Sequence, residues 1–469
     1  MEETKLINLS ELEHIHCIGI GGIGLSAIAE ILLQRGKTVT GSDMKESYMT
    51  DKLMKSGAYI YLGHRAKNVE GADLVVYSAA IAPDNPEIVR AHELGIPTAS
   101  RAQILGLLMQ EHEKSIAISG THGKTTTTSM ISLILRHADC SPTILVGGNL
   151  PEIGGNVSVG DSEYFVTEAC EYRDSFLQLR PRIEIILNID SDHLDYFKDI
   201  EHIVSSFNKF AGLVPDGGCI IAYDANPFVK SVIKSRKNVI TFGLSDGCTY
   251  HAGDIVFNSS GMPGFDVYHK TEKLCRIQLG IPGEHNILNA LAAFACTREL
   301  GIDTEDIRKT LEGYKGTQRR FDFVGTTGSG IKIIDDYAHH PTEIKATLAA
   351  AANVPHEKLW CLFQPHTYTR TLALFNEFSE AFDAADVVVM AEIYAAREKN
   401  IYKISSKSLI DEIKKNHPEK EAYYFESFEE IARFVHEKAK PGDIVLTMGA
   451  GDINRIGEMI LEFDAGNRK

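Results

Sequence analysis

Short apolar runs rich in β-branched residues alternate along nearly the whole chain with segments of 3.6-residue periodicity. That is the pattern of repeated βα units wound around parallel sheets, so the fold class is α/β. A first series predicts strands at 14–20, 38–43, 59–63 and 72–79 and a helix over 24–34, a small doubly wound domain. The polar passage MQEHEK at 109–114 precedes a fresh apolar run, and a boundary is placed near residue 110. The second series has strands at 115–120, 164–170, 181–190, 217–223 and 239–243 and a helix over 285–300, and the Gly-rich 244–284 region is read as a small antiparallel piece. EGYKGTQRRFDFVGTTGSG, 312–330, reads as a Gly-rich polar linker. Strands restart at 331–338, 359–365, 387–394, 422–425 and 443–449, a third doubly wound domain. The expected domains are therefore 1–109, 110–320 and 321–469. No repeat of solenoid period is present, and the low-complexity marks Thr125–Thr128 and Ala349–Ala352 fall inside predicted helices.

Composition narrows the classes. With 469 residues, 43% hydrophobic and 24% charged, the chain is ordinary globular material of two to three domains, which excludes disordered, collagen-like and coiled-coil classes. Lys plus Arg is 48 against 64 for Asp plus Glu, a net charge of −16. No nucleic acid and no membrane surface is expected as a partner, and any anionic ligand must be held locally. Eight scattered Cys without a CxxC pair favour a reducing compartment. The acidic start MEETKLINLSELE does not resemble a signal peptide, and no apolar run reaches membrane-spanning length. A cytoplasmic location without membrane insertion is expected.

Two glycine loops carry the strongest chemistry. Gly19-Ile20-Gly21-Gly22-Ile23-Gly24 closes a predicted strand and opens a predicted helix, and Asp43 ends the next strand. Glycines there permit a tight turn and bring backbone N–H groups to a diphosphate at the helix N-terminus, while the acid accepts a ribose hydroxyl. The pattern says nucleotide diphosphate without choosing between a nicotinamide cofactor and a UDP-sugar. Gly120-Thr121-His122-Gly123-Lys124-Thr125 also joins strand to helix. It resembles a phosphate loop: backbone N–H groups cradle phosphates, Lys124 spreads the charge of the transferring phosphoryl group, and the Thr125 hydroxyl reaches Mg²⁺. Hydride transfer has no use for a triphosphate, so two such loops make a simple dehydrogenase awkward.

Other candidates follow apolar strands or sit on one helix face. Glu168 ends a predicted strand and His193 stands in NIDSDHLD, both positioned for metal ligation. His285, Asn286 and Asn289 share a face of an apolar helix at a spacing suited to an adenine edge. Asp336, Tyr337, His339 and, one strand later, His366 and Arg370 lie at carboxyl ends of strands, where parallel sheets form ligand crevices. Taken singly, each has a plain structural alternative: a solvated strand end, a helix cap or a buried imidazole.

Together, GIGGIG, SGTHGKT, NIDSDHLD, GEHNILNA, RRFD, DDYAHHP and FQPHTYTRT resemble, in order and along the whole chain, the Mur ligase family. The resemblance implies three domains: an N-terminal Rossmann-like UDP-sugar domain, a central ATPase domain with a mostly parallel sheet, and a C-terminal Rossmann-like domain receiving an amino acid. It implies ATP-dependent ligation of L-alanine to the lactyl carboxylate of UDP-N-acetylmuramate through an acyl phosphate, with ATP and Mg²⁺, in a monomer or weak homodimer. Gly21, Gly22, Ile23, Gly24, Asp43 and Ser78 would hold the UDP-sugar. Gly120, Thr121, His122, Gly123, Lys124, Thr125 and Thr126 would hold ATP phosphates; His285, Asn286 and Asn289 would meet adenine, Arg320 the phosphates and Asp336 the ribose. Thr125, Glu168 and His193 would ligate metal. Tyr337, His339, His366 and Arg370 would surround the amino acid, with Lys124, His193, Arg320 and His339 as the catalytic set. Two positions depart from the family pattern: Cys170 stands where an acid is common, and Thr367 where a basic residue is common. A ligase for preformed peptides, a nicotinamide oxidoreductase and a non-catalytic nucleotide switch are the competing readings.

Overall fold

The computed structural model describes residues 7–466; residues 1–6, on which part of the signal-peptide argument rests, lie outside the described residues. The chain forms two compact units, each discontinuous in sequence: Met1–Ser119 with Asp139–Ile185 and Lys209–Ile220, and Gly120–Ala138 with Ile186–Asn208 and Ile221–Lys469.

In the first unit, β1 (His14–Ile18), β2 (Thr38–Asp43), β3 (Tyr59–Leu62), β4 (Leu74–Tyr77) and β5 (Thr98–Ser100) form a parallel sheet in the order β3-β2-β1-β4-β5. The central strands are almost continuously buried, as expected for a sheet with helices on both faces. Helix Ile23–Gln34 buries Leu25, Ile28, Ile31 and Leu32, the apolar positions of its 3.6-residue repeat. The order reverses at β1, so the carboxyl ends of β1 and β4 open the crevice where such sheets bind ligands. The same unit holds β6 (Lys114–Ser119), β7 (Thr143–Leu150), β8 (Gly155–Ser158), β9 (Tyr164–Glu168) and β10 (Ile183–Ile186), in the order β10-β6-β9-β7-β8. β7 and β8 make an antiparallel pair beside parallel β9 and β6.

In the second unit, β11 (Cys219–Tyr223), β12 (Val239–Gly243), β13 (Tyr250–Phe257), β14 (Pro263–His269) and β15 (Glu272–Gln278) follow one another side by side. The last three form an antiparallel meander, the piece expected within 244–284. Downstream, β16 (Asp322–Thr326), β17 (Lys332–Asp336), β18 (Leu359–Phe363), β19 (Val387–Met390), β20 (Glu421–Tyr424) and β21 (Ile444–Met448) are ordered β16-β17-β21-β18-β19-β20. Alternation splits the core in two: Leu359, Cys361 and Phe363 pack with Ile344 and Ile410, while Trp360 and Leu362 pack with Ile431 and Ile456 on the other face. β16 corrects the linker reading of 312–330. Asp322–Thr326 pairs antiparallel with β17 as an edge strand whose Phe323 and Val324 stay exposed, so no alternation of buried positions marked it in the sequence. Among the described residues, no helix is long and apolar enough to cross a membrane.

Candidate active site

The second unit contains a cavity of about 420 Å³ that gathers much of what the motifs singled out: His122, Gly123, Thr126, His285, Asn286, Asn289, Arg320 and Asp336 all line it. Its floor is the loop before helix Lys124–His137. Gly120 (φ +136°) and Gly123 (φ +85°) take conformations L side chains rarely adopt, and a Cβ at Gly123 would lie 2.5 Å from Asn289 Oδ1. Asn188 locks the loop reciprocally: its Oδ1 accepts from His122 N (2.8 Å) and its Nδ2 donates to His122 O (3.0 Å). Lys124 folds back over the loop, its ammonium donating to the carbonyls of Gly120 and Thr121. Thr125 and Thr126 are buried at the start of the helix. Packed against the loop, Asn289 Nδ2 donates to Asn286 Oδ1 (3.0 Å), and Asn289 Oδ1 accepts from Thr127 (3.3 Å).

His122 is the least expected member. Its Nδ1 lies 3.2 Å from Glu343 Oε1 and its Nε2 3.3 Å from Asp190 Oδ2. Carboxylates only accept, so both ring nitrogens carry protons. Burial disfavours that charge, but the bonds to Asp190 and Glu343 prevail and raise its pKa to about 9. The imidazolium thus clips this glycine loop to the segment after Leu187 and to the first turn of helix Pro341–Ala352. Thr342 Oγ1 adds a bond to Asp190 (2.7 Å), and His340 Nε2 donates to Ser191 O (2.9 Å). The sequence held a signal for this: Asp190 stands in the NIDSDHLD segment, and His340-x-x-Glu343 reads as a capping box, which the structure forms.

Asp336 lines the cavity, with Oδ1 accepting from Ala338 N (2.7 Å) and Oδ2 from Phe321 N (2.8 Å). Burial raises its pKa to about 6, against the opposing charge of Arg320. Arg319 is anchored to Asp335 (3.1 Å) and Gly449 O (2.7 Å), leaving its neighbour Arg320 on the cavity wall over the Tyr337 ring.

A second cluster in this unit brings together Tyr337, His339, His366 and Arg370, with His339 and His366 ring centroids 5.9 Å apart. His339 Nδ1 lies 3.0 Å from Tyr337 O; a carbonyl accepts only, so Nδ1 carries the proton and Nε2 keeps its lone pair. Burial pushes the pKa values of His339 and His366 down to about 4, which leaves both neutral at pH 7. Arg370 donates from Nε and Nη2 to Asp192 Oδ1 (3.0 and 2.9 Å), and its Nη1 meets His366 Nδ1 (3.1 Å). Burial opposes ionisation of Asp192, but Arg370 holds its carboxyl well below the usual carboxylate range. Asp192 is a partner that sequence reasoning missed. His193 follows it with φ +53°, a strained conformation for a non-glycine residue.

The first unit holds the other loop and Glu168. The Glu168 carboxylate ends β9 and accepts from Gly147 N. Gly19 N and Ile20 N donate to Ser42 O (2.8 and 3.1 Å), and Gly21 N donates to Asp43 Oδ2 (2.9 Å). Ser78 lies beside Gly19, where a Cβ would come within 3.1 Å of its Oγ. Beneath this loop sits a fully buried carboxylate, Glu87, which accepts from Ser42 Oγ (2.6 Å) and Asn68 Nδ2 (2.6 Å) and meets His64 Nδ1 (3.0 Å).

Comparison with known proteins shows the family. Three family profiles match in sequence order: "Mur ligase family, catalytic domain" over residues 14–113, "Mur ligase middle domain" over 118–297 and "Mur ligase, glutamate ligase domain" over 319–451. A UDP-N-acetylmuramate–L-alanine ligase from Alkaliphilus metalliredigens is 52% identical over 96% of this chain and 97% of its own. Among solved structures, the UDP-N-acetylmuramate-alanine ligase of Thermotoga maritima is 31% identical with a TM-score of 0.81, covering 97% of this chain and all of that one. A murein peptide ligase from Psychrobacter arcticus is 26% identical with a TM-score of 0.72, covering 97% and 99%. The chain belongs to the Mur ligase family.

Proposed function

We propose that this protein is an ATP-dependent ligase that joins L-alanine to the lactyl carboxylate of UDP-N-acetylmuramate in peptidoglycan precursor synthesis. The observation that carries the reading is a phosphate loop with Lys124 folded over it, opening on a cavity of about 420 Å³, in a chain 52% identical along nearly its whole length to a ligase of that name.

A carboxylate does not acylate an amine unaided because oxide is too poor a leaving group. ATP activates it: the lactyl oxygen attacks the γ-phosphorus in line, ADP leaves, and an acyl phosphate forms. The alanine amine then attacks the acyl carbon, and the tetrahedral intermediate collapses with release of phosphate. Lys124 and Arg320 neutralise charge spreading over the γ-oxygens, while loop amides hold the phosphates. Asn286 and Asn289 offer an adenine edge, and Asp336 faces the ribose. His339 Nε2 is the proton acceptor for the amine, and Tyr337, His366 and Arg370 frame the amino acid. Hydroxyl and carboxylate oxygens suit a hard divalent cation, so Thr125 and Glu168 would hold Mg²⁺ with His193 as a nitrogen donor, and the ion would supply Lewis-acid neutralisation of the phosphates. The UDP-sugar is assigned to Gly21, Gly22, Ile23, Gly24, Asp43 and Ser78. Domains 1–109, 110–320 and 321–469 carry these tasks in turn. None of the eight cysteines is joined in a disulfide, which suits a reducing compartment such as the cytoplasm.

The deciding experiment measures phosphate release from ATP and Mg²⁺ with UDP-N-acetylmuramate across single amino acids and one tripeptide. Release that requires L-alanine is expected. Release with the tripeptide alone would make the protein a peptide-recycling ligase, and nucleotide binding without release would make it a switch.

A further inference from the structure

Helix Tyr368–Ala373, which carries Arg370, is too short to hold its own position. Six residues make fewer than two turns, and a helix of that length has no stability of its own in water. Its N-cap bond is long: Thr367 Oγ1 accepts from Arg370 N at 3.4 Å. Thr367 also has φ +65°, a conformation that costs a non-glycine residue free energy and persists only where neighbours impose it. What fixes the backbone of Arg370 and of the adjacent His366 must therefore come from outside this helix.

It comes from the segment after β19. Thr367 N donates to Tyr394 O (2.9 Å), Tyr394 N donates to Pro365 O (2.8 Å), and the Tyr394 ring stacks on His366 with centroids 5.6 Å apart. Further along, Glu398 gives both carboxylate oxygens to one residue of the short helix: Oε2 accepts from Thr369 N (2.9 Å) and Oε1 from Thr369 Oγ1. No ion pair of Glu398 occurs among the described residues, so its negative charge is directed at this helix start, where exposed N–H groups favour it. The segment that presents Glu398 is itself braced. Glu392 accepts from Ile393 N (2.8 Å) and Tyr424 OH (2.9 Å) at one end, and Asn400 bonds both backbone groups of Ile404 (2.8 and 3.2 Å) at the other. Between them Glu398 N donates to Ala395 O (2.9 Å), and Ala396 is held at φ +51°, a second strained residue facing the same helix start.

We propose that Glu398 is a positioning residue of the amino-acid site: acting through Thr369, it sets where Arg370 and His366 stand and thereby the affinity for the amino acid. The assignment rests on the reading of Tyr337, His339, His366 and Arg370 as that site. Arg370 has other anchors in Asp192 and His366, but those hold the guanidinium, whereas Glu398 holds the backbone that delivers it.

The test compares Glu398→Gln and Thr369→Val, singly and together, in the full-length enzyme. Gln keeps the size and one acceptor oxygen; Val keeps the N–H and removes the hydroxyl. KM values for L-alanine, ATP and UDP-N-acetylmuramate are measured, together with hydroxylamine trapping of the acyl phosphate formed without alanine. In Glu398→Gln the KM for alanine should rise about tenfold, the scale of a charge-assisted hydrogen bond, while the other two KM values and the trapped acyl phosphate hold. Thr369→Val should raise it about threefold, and the double variant should fall short of the product of the two, because one shared bond is lost only once. An unchanged alanine KM in either single variant overturns the assignment. So do strictly multiplicative effects, and so does a parallel rise in all three KM values, which would make Glu398 a general support of the fold. Wild-type enzyme whose phosphate release ignores alanine would remove the amino-acid reading itself, whatever the variants do.

Discussion

The two glycine loops are built from one device, a strand turning through glycines into a helix, and they differ in what surrounds it. The loop at 120–125 carries its own cation and two hydroxyls, and a protonated His122 pins it between Asp190 and Glu343. The loop at 19–24 carries no charge; it is held through Ser42 and Asp43 above the buried carboxylate of Glu87, with Arg101 against Gly24. On the proposed function, the first of these sites must stabilise charge developing during phosphoryl transfer and its cation lies within the loop, whereas the second only retains a diphosphate and its loop carries none.

Lys124→Ala is the most severe way to separate the two loops. Phosphate release should fall about 10³-fold or more while UDP binding is unchanged; equal loss of both would show that the loops are not independent in function. Gly123→Ala comes next. A side chain at φ +85° and 2.5 Å from Asn289 should destabilise the protein by about 2 kcal/mol and raise the KM for ATP, read by denaturant titration and kinetics. Substitution at the proposed metal ligand tests a smaller share of the same site: His193→Ala should raise the Mg²⁺ needed for half-maximal activity about tenfold. An unchanged Mg²⁺ titration would return His193 to a purely structural role.

The smallest effect is in pH dependence, where the loops should differ in sign. The folded pKa of His122 is raised to about 9, above its ordinary value, so its stabilisation is complete below about 6.5 and is lost as pH rises through about 9. The pKa of Glu87 is lowered: burial opposes ionisation, but the nearby His16 ring and the hydrogen bonds from Ser42 and Asn68 outweigh it. Its stabilisation is present above its ordinary value and is lost as pH falls through the lowered one. Melting temperature should therefore decline on the alkaline side in a way that Glu343→Gln shifts to lower pH. Glu87→Gln should alter only the acid side. A single curve that responds to neither substitution would undo the contrast.

Much of this was legible in the chain itself. Both loops, the strands before them and the antiparallel piece at 244–284 follow from local periodicity and glycine spacing, which act over a few residues. What was not legible is pairing across distance. Glu343 reaches His122 across 221 positions and Asp192 reaches Arg370 across 178, and no local pattern distinguishes these carboxylates from the many solvated ones. Edge strand Asp322–Thr326 escaped for a related reason: one exposed side chain after another erases the period-two signal.

Short-range pattern in the chain settles the α/β class, the two glycine turns and the residue types available for chemistry, because backbone conformation and amphipathic period act over a few residues. Tertiary structure decided which of those residues are charged and what they hold. It made His122 a cation and His339 a neutral imidazole, committed Arg370 to Asp192, and brought Arg101 to the loop at Gly24. Protonation and pairing depend on burial and on partners within a few ångströms, and those are set only when distant segments pack together.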